Sequence, residues 1–147
     1  MFQGASALNL DVKGRMAVPM KHREPLSLPS QGKLTLTAHR EGCLLMYPLA
    51  HWEPIRDKVM KFPALDPAAA VWKRLLIGFA EEHVLDSNGR VLISPELRKF
   101  AGIERLVMFI GQGTYFEIWN ANAWDAQLKA LTSGAAGLPP GTENFSL

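Results

Sequence analysis

Asp11-Val-Lys-Gly-Arg-Met-Ala-Val-Pro19 returns later in the chain as Asp86-Ser-Asn-Gly-Arg-Val-Leu-Ile-Ser94. Asp, Gly and Arg keep their offsets: a shift of 75 positions carries Asp11 to Asp86, Gly14 to Gly89 and Arg15 to Arg90, and beyond the motif Arg23 to Arg98. A duplication of this kind decides the architecture before any single motif does. Each copy reads as strand, tight turn, strand and helix. Leu8-Asn-Leu10 and Val84-Leu85 lead in. The Asp side chain can bond its own backbone two residues on, and Gly14 and Gly89 accept the positive φ that the bend requires. Met16-Ala-Val18 and Val91-Leu-Ile93 then suit a buried strand. Ser94-Pro95 is an N-cap and first-turn pair for a helix through Phe100, closed by Gly102. In the first copy Pro19 takes the first helical position and Pro25 ends the helix early.

The repeat extends well past the turn. Glu24 to Gly32 is turn-rich and irregular, after which Lys33-Leu-Thr-Leu-Thr37 alternates as a half-buried strand and pairs with Cys43-Leu-Leu-Met-Tyr47 as a hairpin. Leu106–Ile110 and Tyr115–Trp119 repeat that hairpin, with Gly111-Gln-Gly113 as its turn. A helix follows each hairpin. Trp52, Ile55 and Val59 form one stripe, with Pro54 in the first turn, and Trp124, Leu128 and Leu131 form the other. Between the copies, Asp66-Pro67 caps a helix running to Phe79-Ala80. Its Trp72, Leu75, Leu76 and Phe79 exceed what a small domain needs to bury, which points to packing on a neighbouring subunit. The expected organisation is a first repeat over 5–53, a connecting helical segment over 54–80, a second repeat over 81–131 and a disordered Ser/Gly/Pro-rich tail over 132–147.

The 147 residues, 48% hydrophobic and 20% charged, match a globular chain with a real core. No apolar run approaches membrane-spanning length, and Met1-Phe-Gln-Gly lacks the features of a secretion signal, so a cytoplasmic location is expected. Cys43 stands alone among apolar neighbours. A disulfide framework and a cysteine metal site are therefore excluded, and Cys43 is read as a buried small hydrophobe. His22, His39, His51 and His83 show no metal-ligand spacing, and neither a serine elbow nor a phosphate-cradling glycine loop is present. The reading is therefore not an enzyme, with no cofactor, metal or small-molecule substrate. The net charge of +2 divides unevenly: residues 1–75 carry 11 basic against 6 acidic side chains, and residues 76–147 carry 5 against 8. A basic first half points to an anionic partner.

The paired Asp-x-x-Gly-Arg turns, each entering a strand and then a helix with a later Arg (Arg23, Arg98), resemble the MraZ family, as does Gly111-Gln-Gly followed by Phe116-Glu-Ile-Trp119. These are bacterial transcriptional regulators related to the AbrB-type swapped-hairpin fold, and the resemblance spans roughly residues 1–131. It implies an α+β chain whose two AbrB-like swapped-hairpin repeats form one pseudo-dimeric β-barrel with flanking helices, assembled into a ring-like homo-oligomer. It also implies double-stranded DNA as partner, in the form of direct repeats upstream of the cell-division and cell-wall gene cluster that includes the regulator's own gene, and hence a nucleoid-associated repressor. Within that family the first-repeat turn touches DNA, here Asp11, Lys13 and Arg15. The second copy keeps Arg90 but has Ser87-Asn88 where the first has Val12-Lys13.

DNA binding needs cations for phosphates and a forked donor for base edges, and Arg supplies both. Arg15 is assigned to base or groove reading, Lys13, Lys21 and Arg23 to the phosphate backbone, and Arg90 to a second contact. Asp11, Gly14, Asp86 and Gly89 build the turns. Other readings stay open. Asp11 and Arg15 could pair across their own turn, and Arg23 and Arg98, placed alike in both copies, could serve the shared fold. The Trp and Phe residues read as core rather than as stacking platforms. At the level of function, the alternatives are a ring-forming structural or protein-interaction module without specific DNA binding, and an antitoxin, against which the two repeats argue.

Overall fold

A computed structural model describes residues 1–134 and 137–146. The strands are β1 (Ala5–Asn9), β2 (Arg15–Ala17), β3 (Lys33–Ala38), β4 (Leu44–Pro48), β5 (Glu81–Val84), β6 (Arg90–Leu92), β7 (Leu106–Gly111) and β8 (Phe116–Asn120). The helices are α1 (Met20–Ser27), α2 (Leu49–Met60), α3 (Pro67–Leu76), α4 (Pro95–Ala101) and α5 (Ala121–Thr132). All strand pairs are antiparallel, and the expected hairpins β3–β4 and β7–β8 are present. The strands on either side of each Asp-x-x-Gly-Arg turn do not pair with one another. Instead β1 pairs with β7 of the other copy, β5 with β3, and β2 with β6.

The result is an open six-stranded sheet in the order β1-β7-β8-β4-β3-β5 and a separate β2–β6 ribbon. The closed barrel that the resemblance implied is not formed, because the edge strands β1 and β5 do not pair with each other. The ribbon, with α1 and α4, covers one face of the sheet instead. Alternate residues reach that face from both copies: Leu34, Leu36, Leu44 and Met46 from one, Val107, Phe109, Phe116 and Ile118 from the other, meeting Met16, Val18, Val91 and Ile93 of the ribbon. A one-residue slip of any central strand would turn this set outward, so the shared core fixes the register.

The opposite face is covered too, which the alternation in β3 did not foretell. Thr35 and Thr37 are buried. Thr37 Oγ1 donates to the Leu76 carbonyl at 2.8 Å, satisfying the C-terminal end of α3. Leu45, Tyr47, Trp52, Val59 and Leu76 form a second cluster beneath α2 and α3. Cys43, Ile110 and Trp119 form a third, with Trp124 of α5 packed on it.

Helix ends follow their caps more than their prolines. Ser94 Oγ accepts from the Leu97 amide and Gly102 closes α4 at φ +63°, as expected. Pro19 is the N-cap of α1 rather than its first residue, and α1 continues past Pro25 to Ser27. A proline there removes only one helical N–H, and fully buried Leu26 holds the last turn in place. In α2 the helix begins at Leu49, so Pro54 lies inside it rather than in its first turn. α3 stops at Leu76, short of the expected Ala80, where a Cβ on Gly78 would strike the Arg74 carbonyl. Its apolar side is largely consumed within the chain. Leu76 is buried, Trp72 packs on the second cluster and Phe79 meets Phe100, while Val71 stays exposed. Residues 137–146 carry turns without helix or strand, and the expected disorder at 135, 136 and 147 falls outside the described residues.

Candidate nucleic-acid interface

Each turn is built on its own carboxylate. Asp11 Oδ1 accepts the amides of Lys13 and Arg15, each at 2.9 Å, and Oδ2 accepts Arg15 Nε at 2.7 Å. Asp86 does the same with the amides of Asn88 and Arg90 and with Arg90 Nε, all at 2.9 Å. Gly14 (φ +86°) and Gly89 (φ +71°) supply the left-handed backbone. The amide of the following Arg lowers each Asp pKa from its ordinary value, helped by that residue's guanidinium, so both carboxylates are ionised at neutral pH.

The open alternative for Arg15 is thus realised, since it pairs with Asp11 across its own turn. That pairing uses Nε alone. Among the described residues no hydrogen bond is made by the Nη groups of Arg15 or Arg90, and both side chains are about a third exposed. The Asp therefore fixes the direction of the guanidinium while its forked edge stays available, which is the edge a base or phosphate takes.

Arg23 and Arg98 do a different job. Arg23 Nε donates to the Val18 carbonyl at 2.8 Å and Arg98 Nε to the Ile93 carbonyl at 3.0 Å. Each then lies beneath the glycine of the opposite turn. A Cβ on Gly89 would meet Arg23 Nε at 2.1 Å, and one on Gly14 would meet Arg98 Cζ at 2.9 Å. The ribbon completes the exchange, with the Val18 amide donating to the Gly89 carbonyl at 2.9 Å and the Ile93 amide to the Gly14 carbonyl at 3.0 Å. Each turn is therefore seated on the other copy's helix, and the shared placement of Arg23 and Arg98 has a structural cause.

The tips differ. Val12 is fully exposed and Lys13 is exposed beside it, whereas the second turn presents Ser87 and Asn88. Lys21, exposed at the start of α1, reaches toward Gly4. The fold adds cations that sequence reasoning missed. Arg98 and Arg105 join Leu10, Asp11, Val12 and Glu104 around a surface depression beside the first turn, because the Leu10 amide donates to the Arg105 carbonyl at 2.8 Å. Only the pairing between copies brings Arg105 there, so no local signal marked it, whereas Arg98 stood out through the repeat but not as a neighbour of this turn. Cys43 is fully buried, and burial pushes its thiol well above the usual range, so it is no free nucleophile. No helix among the described residues is long and apolar enough to cross a membrane.

Comparison with known proteins shows the family. The family model described as "MraZ protein, putative antitoxin-like" matches residues 1–75 and again residues 76–136, one match for each turn. A protein of Methylobacillus flagellatus named Transcriptional regulator MraZ is 52% identical over the whole of both chains. Proteins of the same name from Aromatoleum aromaticum and Dechloromonas aromatica are 50% identical over the whole of both chains and 51% identical over 96% of each. With both copies matched and such relatives aligned end to end, the chain belongs to the MraZ family.

Proposed function

We propose that this protein is a sequence-specific DNA-binding transcriptional regulator that acts without catalysis. Its targets on this reading are direct repeats upstream of the cell-division and cell-wall gene cluster, its own gene included. The carrying observation is the exposed first turn, where Asp11 aims Arg15 but leaves the guanidinium fork unbonded, with Lys13 at the tip. Arg15 reads a base edge or groove, while Lys13 and Lys21 hold phosphates. Arg23 contributes charge from beneath the second turn, its Nε already engaged, and Arg90 makes at most a weaker contact. The names of the relatives support this reading.

One such turn makes few contacts. A ring-like homo-oligomer whose turns face one way would match direct repeats and multiply weak grips through effective concentration. Exposed apolar side chains at Val71, Val84 and Leu106 support self-association. A location at the nucleoid follows from the same reading.

The test is fluorescence anisotropy on DNA from immediately upstream of the protein's own gene, with oligomer mass measured in parallel. Affinity should fall steeply with salt and be lost in Arg15→Ala while the mass stays unchanged. Salt-insensitive binding, or none, would favour a ring-forming scaffold instead.

A further inference from the structure

The outer face of the sheet carries a group of side chains that DNA binding does not use. His39 follows β3, Cys43 precedes β4 and Glu117 lies in β8. The His39 amide donates to the Cys43 carbonyl at 2.9 Å, which sets these two residues opposite each other at the turn end of the hairpin. Leu45 faces Glu117 in the β4–β8 register, so Glu117 and Cys43 are diagonal neighbours on one face. A nitrogen of His39, Sγ of Cys43 and a carboxylate oxygen of Glu117 all lie within 4.8 Å of one another. We propose that His39, Cys43 and Glu117 form a mononuclear binding site for a zinc-class divalent cation, a clamp joining the tip of the first copy's hairpin to the second copy's β8.

The ligand chemistry favours zinc over calcium or magnesium. Imidazole, thiolate and carboxylate make up the mixed nitrogen, sulfur and oxygen set that zinc takes, whereas the hard cations prefer oxygen alone. Three protein ligands leave the fourth tetrahedral position to water, and small side-chain rotations bring the donors to metal-bond lengths. On binding, Sγ forms the metal bond as its S–H breaks, and the proton leaves to water. In the structure His39 Nδ1 accepts the Glu41 amide at 3.1 Å, a contact that binding through Nε2 would keep and binding through Nδ1 would hand to water.

Two further observations fit a built site. Glu117 is oriented by neighbours, since its Oε1 accepts from Trp119 Nε1 at 3.0 Å and from Gln112 Nε2 at 3.4 Å, as outer partners orient metal-binding carboxylates. Cys43 is wholly enclosed with Ile110 and Trp119, while His39 and Glu117 are only half-buried and give the cation a way in. The single cysteine had argued against a metal site because cysteine pairs and histidine spacings are local signals. This set is assembled from three strand ends, two in the first copy and one in the second.

The proposal is independent of the DNA-binding reading. Its test is titration of metal-stripped, untagged full-length protein with Co²⁺ and then Zn²⁺. One equivalent of Co²⁺ should produce a thiolate-to-cobalt charge-transfer band and tetrahedral ligand-field bands, which Zn²⁺ bleaches, and Zn²⁺ should raise the melting temperature. Cys43→Ser should abolish the charge-transfer band. His39→Ala, at a half-exposed position that the fold tolerates, should weaken binding at least tenfold, and His83→Gln should leave it intact. Absence of the spectrum, or binding by His39→Ala equal to that of the unaltered chain, would overturn the proposal.

Discussion

The two Asp-x-x-Gly-Arg turns share a backbone and differ in what they show to solvent. Asp11 and Asp86 make the same three bonds, Arg23 and Arg98 seat the opposite glycines alike, and the glycine carbonyl of each turn accepts an amide from the other copy through the ribbon. Yet one tip offers Val12 and Lys13 beside Arg98 and Arg105, and the other offers Ser87 and Asn88. Duplication supplied a frame that needs both copies, and divergence was then free to act on the few positions the frame does not use.

The largest effect should come from the guanidinium edge. Arg15→Ala should weaken binding to upstream DNA by about 1–3 kcal/mol for each engaged turn, or roughly 5- to 150-fold before oligomer effects. Arg90→Ala should change affinity by no more than about threefold. Equal losses, measured by anisotropy at one salt concentration, would make the turns functionally equivalent and break the comparison.

The shared frame predicts the reverse, near-equality in folding. Gly14→Ala and Gly89→Ala each force a side chain into a left-handed conformation, costing about 1–3 kcal/mol. Gly89→Ala should sit at the upper end, since its Cβ falls 2.1 Å from Arg23 Nε against 2.9 Å from Arg98 Cζ at Gly14. Urea unfolding midpoints would check this, and an unchanged midpoint in Gly89→Ala would refute the seated turn.

Next in size is a difference between the helices that follow the turns. α4 is capped by Ser94 Oγ, while α1, preceded by Pro19, has no side-chain cap. Ser94→Ala should cost about 1 kcal/mol in the same unfolding measurement.

The smallest effect is the response to acid. Both turn carboxylates have folded pKa values below the ordinary 3.8, so their contribution to stability is present above that pH and is lost as pH falls through the folded values. His22 adds an earlier step, because burial lowers its pKa from 6.5. The folded state then holds the neutral ring, and stability declines as pH drops below 6.5 toward the folded value. Asp11→Asn and Asp86→Asn should flatten the acid limb alike, and His22→Gln only the limb below 6.5. A flattening confined to one Asp variant would separate two turns that the bonds make equal.

What the sequence disclosed was local. Asp bonding its own backbone, glycine at positive φ, the Ser94 cap and the β3–β4 and β7–β8 hairpins all depend on residues a few positions apart, and all are present. What it concealed was exchange. Nothing near Arg105 marks it as a neighbour of the first turn, and nothing near Thr37 marks the helix end it satisfies. His39, Cys43 and Glu117 meet only because β4 pairs with β8. Periodicity also misjudged β3, whose alternation suggested one wet face before α2 and α3 were seen to cover it. Proline positions misled for a related reason, since burial of Leu26 outweighs the loss of one helical bond at Pro25.

The most direct test of an unequal pair is to ask each tip what lies beside it. Val12 and Ser87 are both exposed and Cys43 is fully buried, so a single introduced thiol at either tip can carry a tethered hydroxyl-radical source. With upstream DNA bound, Val12→Cys should cut the strands at sites recurring with the direct repeats, and Ser87→Cys should leave them largely intact. Equal cutting from both tips, or none from Val12→Cys while the DNA stays bound, would contradict the account.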